Sequence, residues 1–248
     1  MTTRDTVSAD RPSHHKALVR AYVAQRLVPP GCAAAPEFVV AEGDLVTVCH
    51  HLPQPRPGRP EELFDYYQFD AFRISGDAVV QHWTGASRAA PTVWAHATGR
   101  PREDVEVAAG VGGTELARNK RLVVDSFRYV FDAEDADAVP RFFAADYRQH
   151  MPGVPSGRAA LEHFVRTGFP DGPKPVPDTP LTPPAVVMAE GRLVIYAVPR
   201  PQPDPERPGQ EYPYLVFNCF RVENGLLAEH WSGLNEAAPL RMPGRDGP

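Results

Sequence analysis

Residues 38–91 and 186–239 match one another without a gap at a constant offset of 148, with 22 identities over 54 positions. Val39-Val40-Ala41-Glu42-Gly43-Asp44-Leu45-Val46 falls on Val187-Met188-Ala189-Glu190-Gly191-Arg192-Leu193-Val194. Even the proline-rich stretch keeps its length, with Pro53-Gln54-Pro55 on Pro201-Gln202-Pro203 and Arg59-Pro60 on Arg207-Pro208. Loops drift faster than the elements they connect, so an ungapped loop argues for one unit present twice. Phe69, Phe72 and Arg73 recur as Phe217, Phe220 and Arg221, His82-Trp83 as His230-Trp231, and Ala89-Ala90-Pro91 as Ala237-Ala238-Pro239. Such a chain has to solve the same packing problem twice.

Its 248 residues suffice for two modest units. A net charge of −5 supplies no broad basic field for a phosphate backbone, so nucleic acid is not expected as a partner. Three cysteines, Cys32, Cys49 and Cys219, are too few and too scattered for a disulfide framework or a thiolate metal site, which points to a reducing cytoplasm. Residues 1–15 are polar, and no stretch reaches the roughly 20 apolar residues that span a bilayer, so neither export nor membrane insertion is expected.

Within each unit the strands read from alternation. Residues 38–48, broken at Glu42-Gly43-Asp44, predict two strands at a tight turn. Residues 66–74 and 79–84 predict a hairpin, which in the second copy turns at Glu223-Asn224-Gly225. Leu122, Val123, Phe127, Val130 and Phe131 recur at helical spacing over 116–131, and a shorter helix is expected at 136–143. Ser156 is placed to cap a helix over 158–167, whose counterpart in the first unit begins after Ser13 and carries Ala17, Leu18, Ala21 and Tyr22. The expected domains are 12–91, truncated at its amino terminus, a linker at 92–114 rich in glycine, and a complete unit at 115–240.

A long helix, a short helix, a Tyr-x-x-His segment, a third helix and an antiparallel meander follow in that order. The order resembles the nuclear transport factor 2-like superfamily, and within it the SnoaL-like polyketide cyclase branch. The resemblance rests on Tyr147-Arg148-Gln149-His150-Met151-Pro152, Ala189-Glu190-Gly191, Phe220-Arg221-Val222-Glu223-Asn224-Gly225 and Glu229-His230-Trp231. It implies an α+β fold of two cone-shaped, cystatin-like units, each a curved antiparallel sheet with helices on one face around an apolar pocket. The first unit would lack its first two helices. Members of the superfamily include cyclases, isomerases, dehydratases, epoxide hydrolases and proteins without catalysis, so activity has to be argued from the site.

Strand alternation places Gln68 with Asp70, and His82 with Thr84, on one face of the first unit. The second unit offers Val216, Asn218, His230 and Ser232 at those positions, with His150 expected to arrive from the loop above. In the SnoaL-like cyclases the position two after this histidine commonly holds an aspartate. Thr84 and Ser232 stand there instead, which leaves Asp70 as the carboxylate suited to proton transfer. The catalytic candidates are therefore Asp70, His82, His150 and His230. The substrate-binding candidates are Gln68, Thr84, Tyr147, Asn218, Ser232, Trp83 and Trp231.

The adjacent pairs His14-His15 and His50-His51 lack accompanying ligand spacing, so no metal is expected, and no cofactor fingerprint is present. The expected function is cofactor-independent acid/base chemistry (cyclisation, isomerisation or dehydration) on a hydrophobic, carbonyl-bearing, polyketide-like molecule. Epoxide opening and non-catalytic binding are the alternatives. The two units are expected to pack as an internal pseudo-dimer, with a further homodimer left open.

Overall fold

The computed structural model describes residues 11–26, 35–56, 59–86, 114–151, 154–203, 209 and 211–234. Cys32, the matches at 89–91 and 237–239, and the expected linker apart from Thr114 lie outside the described residues.

The first half opens with α1 (Arg11–Arg26), followed by β1 (Phe38–Glu42), β2 (Leu45–His51), β3 (Gln54–Arg56), β4 (Arg59–Phe64), β5 (Tyr67–Ser75) and β6 (Ala78–Ala86). The second half opens with α2 (Glu115–Ser126), capped by the Thr114 hydroxyl, which accepts from the Ala117 amide at 3.2 Å. The helix widens into a π turn at Phe127–Asp132, and a 3-10 turn at Ala136–Ala138 leads into α3 (Val139–Phe142). Then come β7 (Phe143–Gln149), α4 (Arg158–Gly168), β8 (Val186–Glu190), β9 (Leu193–Pro203), β10 (Glu211–Glu223) and β11 (Leu226–Leu234). Asn224 at φ +51° and Gly225 at φ +75° give the turn between β10 and β11 the two left-handed residues that an Asn-Gly hairpin supplies at low cost. No helix among the described residues is long and apolar enough to cross a membrane.

The main sheet runs β1-β2-β5-β6-β11-β10-β9-β8, with β7 parallel to β11, while β3 and β4 form a separate hairpin. The halves join through the pair Leu234 and Ala86, and the sheet doubles over so that one face of each half meets the other. That shared layer contains Val40, Cys49, Tyr67, Phe69 and Ala71 from the first half and Met188, Ile195, Phe217, Cys219 and Trp231 from the second. Phe69 and Phe217 stack at its centre, 5.8 Å apart, and Thr47 Oγ1 donates to Met188 Sδ at 3.2 Å. Cys49 and Cys219 are free thiols in this layer, and burial pushes both thiol pKa values up. The outer face of each half carries its helices. Val19 and Val23 of α1 cover Ala41, Val46, Val48, Phe72 and Ile74, while Val123 and Phe127 cover Ala189, Val194, Tyr196, Phe220 and Val222.

The edge strands β1 and β8 face each other and are closed by side chains. Glu42 Oε2 accepts from the Ala189 amide at 2.7 Å, and Glu190 Oε2 accepts from the Ala41 amide at 2.9 Å. Each glutamate also takes a lysine from the helix of the half opposite its own, Lys120 of α2 on Glu42 and Lys16 of α1 on Glu190. Both alanines are buried, so an amide without this acceptor would be a buried donor left unpaired, at about 1–3 kcal/mol.

These contacts correct the assignment of the first helix. The expectation matched α1 to residues 158–167. In the structure it takes the place of α2, with His15, Lys16, Val19 and Val23 standing where Asn119, Lys120, Val123 and Phe127 stand. The His15 ring bonds the Gly43 carbonyl at 3.1 Å, and the Asn119 amide donates to the Gly191 carbonyl at 3.3 Å. The first half therefore keeps its opening helix. Between α1 and β1 its described residues hold no counterpart of α3, β7 and α4. A helix that must cover Ala41, Val46 and Phe72 has only one place on that face, whatever its distance along the chain.

Two glycines lock the doubled sheet. A Cβ at Gly85 would meet Phe217 Cδ2 at 2.6 Å, and a Cβ at Gly233 would meet Phe69 Cδ2 at 2.5 Å. Gly85→Ala and Gly233→Ala are each expected to lower stability by about 1–3 kcal/mol through overpacking, read as a lower midpoint in chemical denaturation. Wild-type midpoints would mean that the phenyl rings move aside freely.

Candidate active site

Asp70 on β5 and His82 on β6 sit one diagonal apart, because the register pairs Asp70 with Thr84 and Phe72 with His82. His82 Nε2 lies 2.8 Å from Asp70 Oδ1, and its ring lies flat on Phe72 at 4.6 Å and 6°. The Gln68 amide donates to Thr84 Oγ1 at 2.6 Å and to Asp70 Oδ2 at 3.4 Å. Asp70 is only 5% exposed, whereas the His82 side chain keeps 27% of its surface open. A carboxylate held away from water on one ring nitrogen fixes the imidazole's orientation and stabilises the imidazolium that forms when the other nitrogen takes a proton. Four predicted residues, Gln68, Asp70, His82 and Thr84, thus meet in one array. Arg73 pairs with Asp44 at 2.8 Å.

The matching positions of the second half are chemically milder. His230 Nε2 lies 3.0 Å from Asn218 Oδ1, and its ring stacks on Phe220 at 4.4 Å. The Asn218 amide nitrogen donates to the Tyr196 and Val216 carbonyls, so its oxygen faces the histidine and Nε2 is the protonated nitrogen. Nδ1 is 2.9 Å from the Gln149 side chain, which β7 delivers. Ser232 Oγ donates to the Phe217 carbonyl at 3.1 Å. Tyr147 is buried beside Phe143; burial pushes its pKa up, opposed by a hydrogen bond with Gln149. Burial also pushes the His230 pKa down to about 3, helped by the charge of His150. Burial therefore favours the uncharged form of His230, whose ring nitrogens lie against Asn218 Oδ1 and Gln149 Oε1.

His150 does not join it. The His150 amide donates to the His230 carbonyl at 2.9 Å, but strand alternation sends the two side chains to opposite faces. The His150 ring stacks on Trp231 at 4.9 Å, with Nε2 2.7 Å from Glu229 Oε1 and Nδ1 3.2 Å from the Tyr67 hydroxyl of the first half. Burial raises the Glu229 pKa, but hydrogen bonds from His150 and Arg221 outweigh it and hold the carboxylate below its ordinary value. Tyr67, His150 and Glu229 form a contact between the halves. Trp231 belongs to the same face, within the shared layer, and Trp83 packs against that layer, so neither indole lies beside its neighbouring histidine's array.

The sequence reading brings His150 in from a loop and does not select Gln149, Tyr67 or Glu229. With 147–151 read as a strand, alternation would have placed Gln149 with Tyr147 and turned His150 away. Ser156 does not cap α4 either; Gly157 stands at the cap, and Ser156 Oγ accepts from the Gln149 amide at 3.0 Å. His50, opposite Gln68 on β2, is a further member of the first array, 8% exposed, with its pKa lowered by burial against the pull of Asp70.

The model of the SnoaL-like domain matches residues 123–230. No curated protein matches the chain. Among solved structures, a SnoaL-like polyketide cyclase from Agrobacterium tumefaciens is similar at 12% identity, over 50% of this chain and 95% of that one, with a TM-score of 0.34. An LEH-like epoxide hydrolase from M. tuberculosis gives 16%, 49%, 86% and 0.36 for the same quantities, and TsrD from Streptomyces laurentii gives 18%, 48%, 89% and 0.33. At these scores the structures carry no argument about chemistry.

The His230 environment makes a pH prediction. Its folded pKa lies below the unfolded 6.5, so the unfolded chain binds a proton more readily, and stability falls as pH drops below about 6.5 towards 3. The melting temperature is expected to fall between pH 7 and pH 5, and His230→Gln should flatten that slope. An equal slope in the variant would place the acid sensitivity elsewhere.

Proposed function

On the premise that residues 123–230 form a SnoaL-like domain, we propose that the chain is a cofactor-independent acid/base enzyme acting on a hydrophobic, carbonyl-bearing, polyketide-like small molecule. Its working site is the Asp70 and His82 pair of the first half, outside the matched segment. One comparison carries this reading: the same histidine stands in two settings. In the second half His230 is buried, paired with an amide and covered at Nδ1 by Gln149 of β7. In the first half His82 is paired with a carboxylate, is partly open, and has no counterpart of β7 among the described residues.

Asp70 accepts a hydrogen bond from the Nε2–H of His82 and so leaves the lone pair on Nδ1. That nitrogen takes a proton from the carbon beside a substrate carbonyl; the C–H pair moves onto the carbonyl oxygen, giving an enolate, and the new imidazolium is held by Asp70. The outcome depends on where the proton returns. Returned to another carbon it completes an isomerisation, returned to a departing hydroxyl it completes a dehydration, and returned to the alkoxide left by enolate attack on a second carbonyl it completes a cyclisation. Gln68 fixes the Asp70 carboxylate and the Thr84 hydroxyl. We also read the halves as an internal pseudo-dimer of one duplicated unit, supported by the reciprocal glutamates and glycines.

A non-catalytic binding role is the second reading, favoured by the uncharged His230 array. Incubation with polyketide-like aromatic ketones, followed by mass and retention, separates the two. Asp70→Asn and His82→Gln are expected to lower turnover by about 10²–10⁴-fold while retaining ligand binding, and His230→Gln to leave it near wild type. Turnover unchanged in both first-half variants would overturn the assignment, and a ligand that binds unconverted would favour the binding role.

A further inference from the structure

We infer that His50 anchors the far end of an elongated substrate in the Asp70 and His82 site, through a hydrogen bond to an uncharged hydroxyl or carbonyl oxygen remote from the reacting carbon. This rests on the reading of that site as the working one.

His50 is 92% buried by its 8% exposure, yet among the described residues no hydrogen-bond partner meets either ring nitrogen. The other buried polar side chains of the two arrays are all engaged: Asp70 by His82 and Gln68, His230 by Asn218 and Gln149, Ser232 by the Phe217 carbonyl. Neither His50 ring nitrogen is among the fully shielded unpaired atoms of the described residues, so both retain accessible surface through which a ligand oxygen can reach them. The position is also specific to this half. At the offset of 148, His50 and Gln68 correspond to Val198 and Val216, and Val198 is buried among the apolar residues beneath α2. The face is polar beside the partly open histidine and apolar beside the occluded one.

Placement sets the substrate class. His50 lies across from Gln68, and His82 across from Phe72, so the two histidines flank Asp70 from opposite sides. They stand two strands and four residues apart, about 16 Å between Cα positions along the sheet. They therefore do not act on one atom. A fused polycyclic or long-chain compound bridges them, and a single ring does not. The distal group is uncharged, since a carboxylate there would face Asp70, and burial keeps His50 neutral.

The test is equilibrium binding, by titration calorimetry, of a hydroxyanthraquinone and of anthracene, which has the same rings without oxygen. An Asp70→Asn background keeps the measurement independent of turnover. His50→Val, which copies the second half, is expected to weaken the hydroxyanthraquinone about tenfold and leave anthracene unchanged, and His50→Gln to recover part of the loss. Equal affinity in His50→Val, equal loss for both probes, or no binding of the hydroxyanthraquinone to the His50 protein would overturn the anchor. Should His50→Val not fold, His50→Phe with a wild-type melting temperature carries the same comparison. A His50-dependent isotherm together with unchanged turnover in His82→Gln would keep the anchor and discard the proton transfer.

Discussion

Everything in this molecule depends on how the two ends of its main sheet are closed. A doubled sheet leaves β1 and β8 as edges, and an edge strand presents unpaired amides that invite association with other chains. Here a glutamate from each edge takes an amide of the other, and each glutamate is neutralised by a lysine from across the interface. The arrangement satisfies buried donors without a continuous ladder. It also ties each opening helix to the opposite half, so neither helix can leave its sheet without disturbing the closure.

Against that symmetric frame the chemistry is unsymmetric. The scaffold contacts are reciprocal almost atom for atom: Glu42 with Glu190, Gly85 with Gly233, Phe69 with Phe217. The polar arrays are not, since Asp70 stands opposite Asn218 and His50 opposite Val198. Packing constrains the first set, because altering one partner strains the other, whereas the outer faces are free to diverge. An oxygen-for-nitrogen difference between Asp70 and Asn218 separates a partly open histidine that faces a carboxylate from a buried one that faces an amide.

Much of this was legible in the chain. The ungapped match gave the strands, and alternation gave the array of Gln68, Asp70, His82 and Thr84, because register and face are local properties of a strand. The first helix was legible but its equivalence to α2 was not, since its counterpart lies at a shift of 104 instead of 148. The signal was nonetheless present, as Lys16-Ala17-Leu18-Val19 against Lys120-Arg121-Leu122-Val123. His150 was misplaced because a short strand of mixed polarity, Phe143–Gln149, reads as a loop until β11 is there to pair with it. The burial of His50 depends on the tertiary surroundings of β2, which no pattern within the strand encodes.

The shared layer has one further property. Cys49 and Cys219 lie where the two halves meet, fully shielded, with their thiolate forms suppressed by burial. Alkylating reagents act on thiolates that they can reach. Neither thiol qualifies while the faces stay together, so the rate at which each acquires an adduct is a clock for the parting of the halves. The chain thus carries a built-in reporter of its own breathing at the seam on which its architecture rests.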